Sequence, residues 1–243
     1  MSGASHQEVV ATVETPLHRA PAECKVLATI VFVLAVALVP RGAVVWPYAV
    51  DFALLACVAG FARADPRMLV GRLAIEVPFV LFVIVLPFVA EDGWWLAFGI
   101  VAKATLAVLA TGVLAWTTPG PEILRGAERL GLPQVLVAIA GFALRYAQVI
   151  TDELQRMRLA RVQRGDRARW LWQSRAGARG VGALAVRTFE RGERVHVAML
   201  ARGYDGTMPS LRLAPAASAL AWAGAVLVPA VAVAVLVAAR GWV

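Results

Sequence analysis

LPQVLVAIAGFALRYAQVI, residues 132–150, has the apolar content of a membrane crossing, yet Pro133 and Gln134 open it and Arg145 and Gln148 interrupt it. It also runs without a break into polar sequence. From Leu136 onward, Ile139, Ala143, Tyr146, Ile150, Leu154 and Met157 recur at spacings of three and four, one apolar stripe of an amphipathic helix. Such a helix belongs at the membrane interface or against partners. Charge gives the stronger reason, because lysine and arginine accumulate on cytoplasmic loops. If 132–150 crossed the bilayer, the arginine-rich stretch from Thr151 to Arg212 would fall outside. Kept out of the bilayer, it leaves all of Thr117–Leu213, with 16 arginines, on the cytoplasmic side, and 21 of the 24 basic residues with it. Arg41 and Arg240 are then outside and Lys103 lies within a span. The alternative is a sixth span and a reversed C-terminus.

The rest of the chain has the composition of a membrane protein. Of its 243 residues 60% are hydrophobic and 16% charged, with a mean hydropathy of +0.71, against roughly 45–50% and about 25% in soluble domains. Candidate spans at Lys25–Val39, Val45–Phe61, Leu73–Ala90, Trp94–Trp116 and Ser218–Ala239 approach the ~20 apolar residues that a helical crossing needs. Pro40-Arg41-Gly42, the stretch from Arg63 to Arg72, and Glu91-Asp92-Gly93 form the short turns between them. The expected fold is an all-α membrane protein of about five transmembrane helices plus a cytoplasmic or interfacial domain of long helices. Residues 1–24 form a cytoplasmic tail, 25–116 a four-helix transmembrane region, 117–213 the cytoplasmic domain and 214–243 a C-terminal transmembrane helix. The N-terminus is inside and the C-terminus outside. The tail has no basic stretch before an apolar run and no small-residue cleavage site, so no cleaved signal peptide is expected.

The segment Thr117–Leu213 sets 16 arginines against 8 acids and so carries all of the net charge of +8. With a hydropathy this high, that charge sets topology and partner contacts, and nucleic acid is not an expected partner. Glycines 165, 177, 180 and 182 divide the segment into two long helices, about Pro133–Arg164 and about Val181–Arg202. They end alike, in Gln163-Arg164-Gly165 and Ala201-Arg202-Gly203. Glycine just past a helix end takes the left-handed cap conformation cheaply, and arginine in the last turn complements the dipole, so either ending suits any helix. The repetition, 38 residues apart on consecutive helices, is what points to function. A planar guanidinium with fixed donors on a helix tip fits a carboxylate-lined groove on a partner. A third match, Ala178-Arg179-Gly180, falls in the glycine-rich connector and is set aside.

Cys24 and Cys57 make neither a metal spacing nor a disulfide framework, and His6, His18 and His196 are scattered. Neither lysine follows a glycine, so there is no phosphate-binding P-loop, and zinc-protease and hydrolase-elbow motifs are missing. No catalytic, cofactor-binding or metal-ligating residue is expected in this chain. Three ionisable residues, Asp51, Glu76 and Lys103, fall inside candidate spans, where a charge costs at least about 2.5–3.5 kcal/mol and therefore pairs or reaches the interface. Asp51 and Lys103 are expected to pair, and Glu76 to be hydrated near the cytoplasmic end. An intramembrane enzyme built on these three is the rival from a different class.

Several motifs then occur in a shared order. Leu17-His18-Arg19 with Pro21 and Lys25 precedes the first span; Pro78-Phe79-Val80-Leu81-Phe82 and Leu86-Pro87-Phe88 lie in the third; Thr117-Thr118-Pro119 follows the fourth. Arg145-Tyr146, Asp152-Glu153, Arg156-Met157-Arg158 and Arg164-Gly165 come next. Arg191-Gly192-Glu193-Arg194-Val195 and Ala198-Met199-Leu200-Ala201-Arg202-Gly203-Tyr204-Asp205-Gly206 complete the series. In these the chain resembles, from Leu17 onward, the transmembrane coupling subunit of energy-coupling factor transporters, in the cobalt/nickel CbiQ-type branch. The resemblance implies that the two helix-tip Ala-Arg-Gly motifs insert into grooves of two ABC-type ATPase subunits. Arg202 takes the second role directly; Arg164 takes the first, with Gln163 where the family usually has alanine. It further implies a small integral-membrane subunit that captures the substrate, with an accessory membrane subunit as a further candidate partner, and a location in the bacterial inner membrane. ATP and the cobalt or nickel ion are handled by those partners. A vitamin such as biotin is the alternative cargo.

Overall fold

The computed structural model describes residues 15–40, 45–89, 93–165, 174–205 and 217–241. Most of the N-terminal tail, Arg41-Gly42, the Glu91-Asp92 turn and the chain from Gly206 to Ala216 lie outside the described residues. No strand occurs among the described residues. The helices are α1 (Pro16–Arg19), α2 (Ala22–Ala37), α3 (Trp46–Phe61), α4 (Pro66–Leu73), α5 (Val77–Val83), α6 (Leu86–Val89), α7 (Gly93–Thr117), α8 (Gly120–Arg129), α9 (Gln134–Gln163), α10 (Ser174–Ala201) and α11 (Ala219–Arg240). They divide into two compact units, Met1–Gly131 with Ala214–Val243, and Leu132–Leu213.

In the first unit α2 lies at the centre and packs on α7, α8 and α11. Its Phe32 and Val36 meet a buried cluster formed with Leu55 of α3, Leu106, Val113 and Trp116 of α7, and Ala232 and Leu236 of α11. The opposite faces are also apolar: Leu34, Leu38, Phe52, Phe82, Phe88, Trp94 and Leu227 are all exposed. Apolar surface on this scale is untenable in water and ordinary in lipid. The chain is an all-α membrane protein.

Among the described residues three helices are long and apolar enough to cross a bilayer by length and composition, Gly93–Thr117, Gln134–Gln163 and Ala221–Arg240. A fourth crossing is available if the pair Pro66–Leu73 and Val77–Phe88, bent by 47°, acts as one. The first two expected spans form helices of 16 residues, about 24 Å long against a hydrocarbon core of about 30 Å. The third expected span is broken. Pro78 and Pro87 have no N–H to donate to the turn before them and their rings crowd its carbonyls, so the chain restarts a helix at each proline. The bend at residues 74–76 is carried by tighter bonds, Ile75 N–H to Arg72 O and Glu76 N–H to Leu73 O. Residues 132–150, expected to stay out of the bilayer, lie in a helix whose length and composition admit a crossing.

In the second unit α9 and α10 run in opposing senses through their contact. Gly180 faces Met157 and Arg161, and Arg187 pairs with Glu153 at 2.9 Å. Only the later part of the expected stripe on α9 is covered: Tyr146, Ile150, Leu154 and Met157 are half-buried, whereas Leu136, Ile139 and Ala143 are exposed. On α10, Gly180, Leu184, Thr188, Val195 and Met199 are the less exposed positions, Leu184 being buried. The chain breaks at Gly165 as expected, but not at Gly177, Gly180 and Gly182, since α10 begins at Ser174 and runs through all three. A helical glycine costs only about 1 kcal/mol relative to alanine. At Gly180 an added Cβ would stand 3.6 Å from Arg161 Nη1, an ordinary contact, so α9 passes beside this position without requiring glycine there.

Candidate functional site

The two arginine tips are built alike. Arg164 closes α9, and the next residue, Gly165, has φ +81 and donates to Val162 O at 3.1 Å. Arg202 closes α10, and Gly203, at φ +84, donates to Leu200 O at 3.0 Å while Tyr204 N–H reaches Met199 O at 3.0 Å. The second pattern is a complete Schellman motif, and the first shares its glycine bond. In both, backbone bonds and a left-handed glycine satisfy the helix end. The arginine side chains are spent on neither cap, and both residues are exposed. Because the helices oppose one another, the tips point away from each other. Arg164 lies about two turns past the contact and Arg202 about five turns past it on the other side, a separation of roughly 30–40 Å at ~1.5 Å per residue. Gln163 and Ala201 are the last helical residues before each arginine. Ala178 and Arg179 lie inside α10, not at an end.

Neither glycine has an atom within 4 Å of a would-be Cβ, so the requirement for glycine there is purely conformational. Gly203→Ala is expected to fray the last turn of α10 and to destabilise it locally by about 1–2 kcal/mol. Gly203→Asn, which tolerates a left-handed backbone better, should lose less. Faster hydrogen exchange at the amides of residues 203 and 204 in the alanine variant is the measurement.

The intramembrane charges do not pair as expected. Lys103 Nζ donates to Ala37 O at 3.0 Å and Val39 O at 2.6 Å, satisfying the carbonyl end of α2. The Asp51 carboxylate is buried with no hydrogen-bond partner among the described residues. Lys103 is drawn to carbonyls that would otherwise be orphaned at the end of α2. Glu76 is not hydrated but buried, and accepts from Thr105 Oγ1 at 3.2 Å on both carboxylate oxygens. These three residues therefore form no common site. Among the described residues no three His, Cys, Asp or Glu side chains come together.

A polar cluster at the start of α2 was not apparent in the sequence. The Glu23 side chain, 8% exposed, accepts from Arg129 Nη1 at 3.3 Å and from the Ala217 N–H at 2.9 Å. Two residues on, Lys25 Nζ donates to Thr117 O at 3.1 Å and to His18 O at 3.4 Å. His18 Nδ1 stands 2.6 Å from Thr15 Oγ1. Burial, and then the Lys25 ammonium, push the His18 imidazole below its ordinary pKa, which favours the neutral ring. α8 reaches this cluster because Gly126 lets the two backbones touch: a Cβ there would sit 2.8 Å from Glu23 N. The partners are separated by 106 and 194 positions, too far apart for a local pattern to announce them.

Comparison with known proteins places this architecture. The chain is 32% identical over 134 residues to the cobalt transport protein CbiQ of Rhodobacter capsulatus, an alignment covering 54% of each chain. It is 29% identical over 128 residues to an uncharacterized protein of Methanocaldococcus jannaschii, covering 51% of this chain and 46% of that one. It is 28% identical over 95 residues to a putative fused cobalt transport protein CbiMQ of Methanocorpusculum labreanum, covering 39% of this chain and 16% of the other. The chain spans about half the length of the first two relatives and less of the third. The family model described as CbiQ, cobalt transport protein, matches residues 13–212. That match takes in the helices from α1 to α10 and both arginine tips, and the chain belongs to the CbiQ cobalt transport protein family.

Proposed function

We propose that this chain is the transmembrane coupling subunit of an energy-coupling-factor ABC importer, and that its cargo is cobalt. The observation that carries the proposal is the pair of exposed arginines at matching helix ends, each freed from capping by its glycine and set apart in one helical unit. Two separated tips suit two ATPase subunits, one groove for each. ATP binding and hydrolysis in those subunits displace the helices ending at Arg164 and Arg202; the membrane helices then reorient the capture subunit. Motion of this kind needs a packed element with two arrangements, not a catalytic group in this chain. Membership of the cobalt transport family supports the cargo. A relative named as a fused CbiMQ protein supports a second component working beside this one. ATP hydrolysis and metal selection belong to the partners, and the basic helices lie in the cytoplasm, as the arginine bias requires.

The test is a pull-down of the tagged chain from its own membrane with identification of the co-purifying subunits, coupled to uptake of radioactive cobalt. Two ABC-type ATPases and a small membrane subunit are expected, together with ATP-dependent uptake into vesicles. Recovery of the chain alone, or uptake indifferent to ATP, would refute the assignment. Competition by nickel and by biotin ranks the cargo.

A further inference from the structure

The second unit is inserted between two points of the first. The chain leaves the first unit at Gly131, just past α8, and re-enters it at Ala214, just before α11. Glu23 is bonded at both junctions. One carboxylate oxygen accepts from Arg129 in the last turn of α8, and the other from the backbone of Ala217, the residue before the Ser218 cap of α11. The contact is enclosed: Glu23 is buried, and α8 lies so close that a Cβ added at Gly126 would stand 2.8 Å from Glu23 N. A buried carboxylate shared by a guanidinium and an amide is costly to disturb, because removing it takes one charge-assisted bond from each of two junction donors at once. α2, which carries Glu23, is also the helix on which α11 packs most extensively.

We propose that Glu23 is a positioning residue for coupling: it locks the outgoing and returning chain segments to α2, so that a force applied to the inserted unit reaches α2 and α11 together. This rests on the transporter reading given above. The carboxylate touches no substrate and binds no ATPase. Its part is to keep the two junctions from yielding independently, which would let ATP be hydrolysed without movement of the membrane helices.

The variant is Glu23→Gln, which keeps the size of the side chain and one acceptor oxygen but gives up the charge. Two measurements are made, hydrogen exchange on the chain alone in nanodiscs, and cobalt uptake per ATP in the assembled complex. Exchange is expected to rise about tenfold at amides around 126–131 and around 217–221 together, while mid-α7 amides stay unchanged. ATPase co-purification and ATP turnover should persist, with cobalt taken up per ATP falling about tenfold. Arg129→Gln should add less on top of Glu23→Gln than it does to the unaltered chain, since the two substitutions share one interaction. Exchange rising at a single junction, an unchanged ratio of cobalt to ATP, or loss of the ATPases would each overturn the proposal. Should the variant fold poorly, Glu23→Asp replaces it, with smaller shifts of the same pattern expected and the same outcomes decisive. Exchange in the chain alone does not depend on any partner, so a failed transporter assignment and a failed junction lock are told apart.

Discussion

Replacing Arg202 by glutamate is expected to weaken capture of the ATPase subunits about 100-fold or more, while the chain still inserts into the membrane. The magnitude follows from what the guanidinium is held to do. Truncating one member of a buried, hydrogen-bonded charge pair across an interface costs about 2–5 kcal/mol, and about 2.8 kcal/mol is a factor of 100 in affinity. Glutamate adds repulsion by the carboxylates of the groove. The rival account makes Arg202 a mere complement to the helix dipole, worth about 0.3–1 kcal/mol. On that account the loss stays below roughly tenfold. The two are separable because the cap bonds at this end are backbone bonds through Gly203 and Tyr204, which any side chain at position 202 leaves in place. Arg202→Gln should therefore keep α10 intact and still lose most of the capture, and Arg202→Lys should fall between, since an ammonium lacks the planar fork. Arg164→Ala should show a similar, smaller defect. Undiminished recovery of both ATPases with Arg202→Glu would remove the basis for the coupling role.

The tips were legible because they are local. A glycine in the left-handed region with an arginine before it can be read from three consecutive letters, and both Gly165 and Gly203 take that conformation. α7 was equally plain, its apolar run being free of proline, and α11 continues through its internal Pro229. The broken third span was half legible: Pro78 and Pro87 stood in the sequence, but in lipid a proline can kink a helix or stop it, and neighbouring chain decides between them. The start of α10 was misjudged because glycine was read as punctuation, whereas a glycine costs a helix only about 1 kcal/mol against alanine and does not by itself end one, and α10 runs through Gly177, Gly180 and Gly182. The pairing of Asp51 with Lys103 rested on charge alone. It missed that the carbonyls of Ala37 and Val39, at the end of a 16-residue helix, also need donors. Glu23 was least visible, for its partners sit on α8 and before α11, and one of them is a backbone N–H that no side-chain pattern announces.

A large loss of stability is expected at Gly126, where valine should lower the melting temperature of the detergent-solubilised chain by about 6–12 °C. A Cβ on α8 at this point meets Glu23 N at 2.8 Å, Ala22 C at 2.9 Å and Ala22 O at 3.1 Å. All three are backbone atoms of α2, so no rotamer change relieves the overlap; α8 itself has to move. Overpacking of this kind costs typically 1–3 kcal/mol, and taking the upper end, near 3 kcal/mol, each kcal/mol lowers the melting point by about 2–4 °C in a chain of this size. Gly141→Ala is the control. It lies in α9 with no atom within 4 Å of its Cβ, so alanine should be neutral or stabilise by up to about 1 kcal/mol through helix propensity. Both glycines are helical and both sequences around them are apolar or mixed, so composition gives no reason for opposite results. Only the backbone approach of α8 to α2 separates them. That approach also seats Arg129 on Glu23, so Gly126→Val should release the α8 junction as well as lower the melting point. The smaller Gly126→Ala should do the same to a lesser degree, and a melting curve for Gly126→Val matching that of the unaltered chain would mean that α8 does not rest on α2 at all.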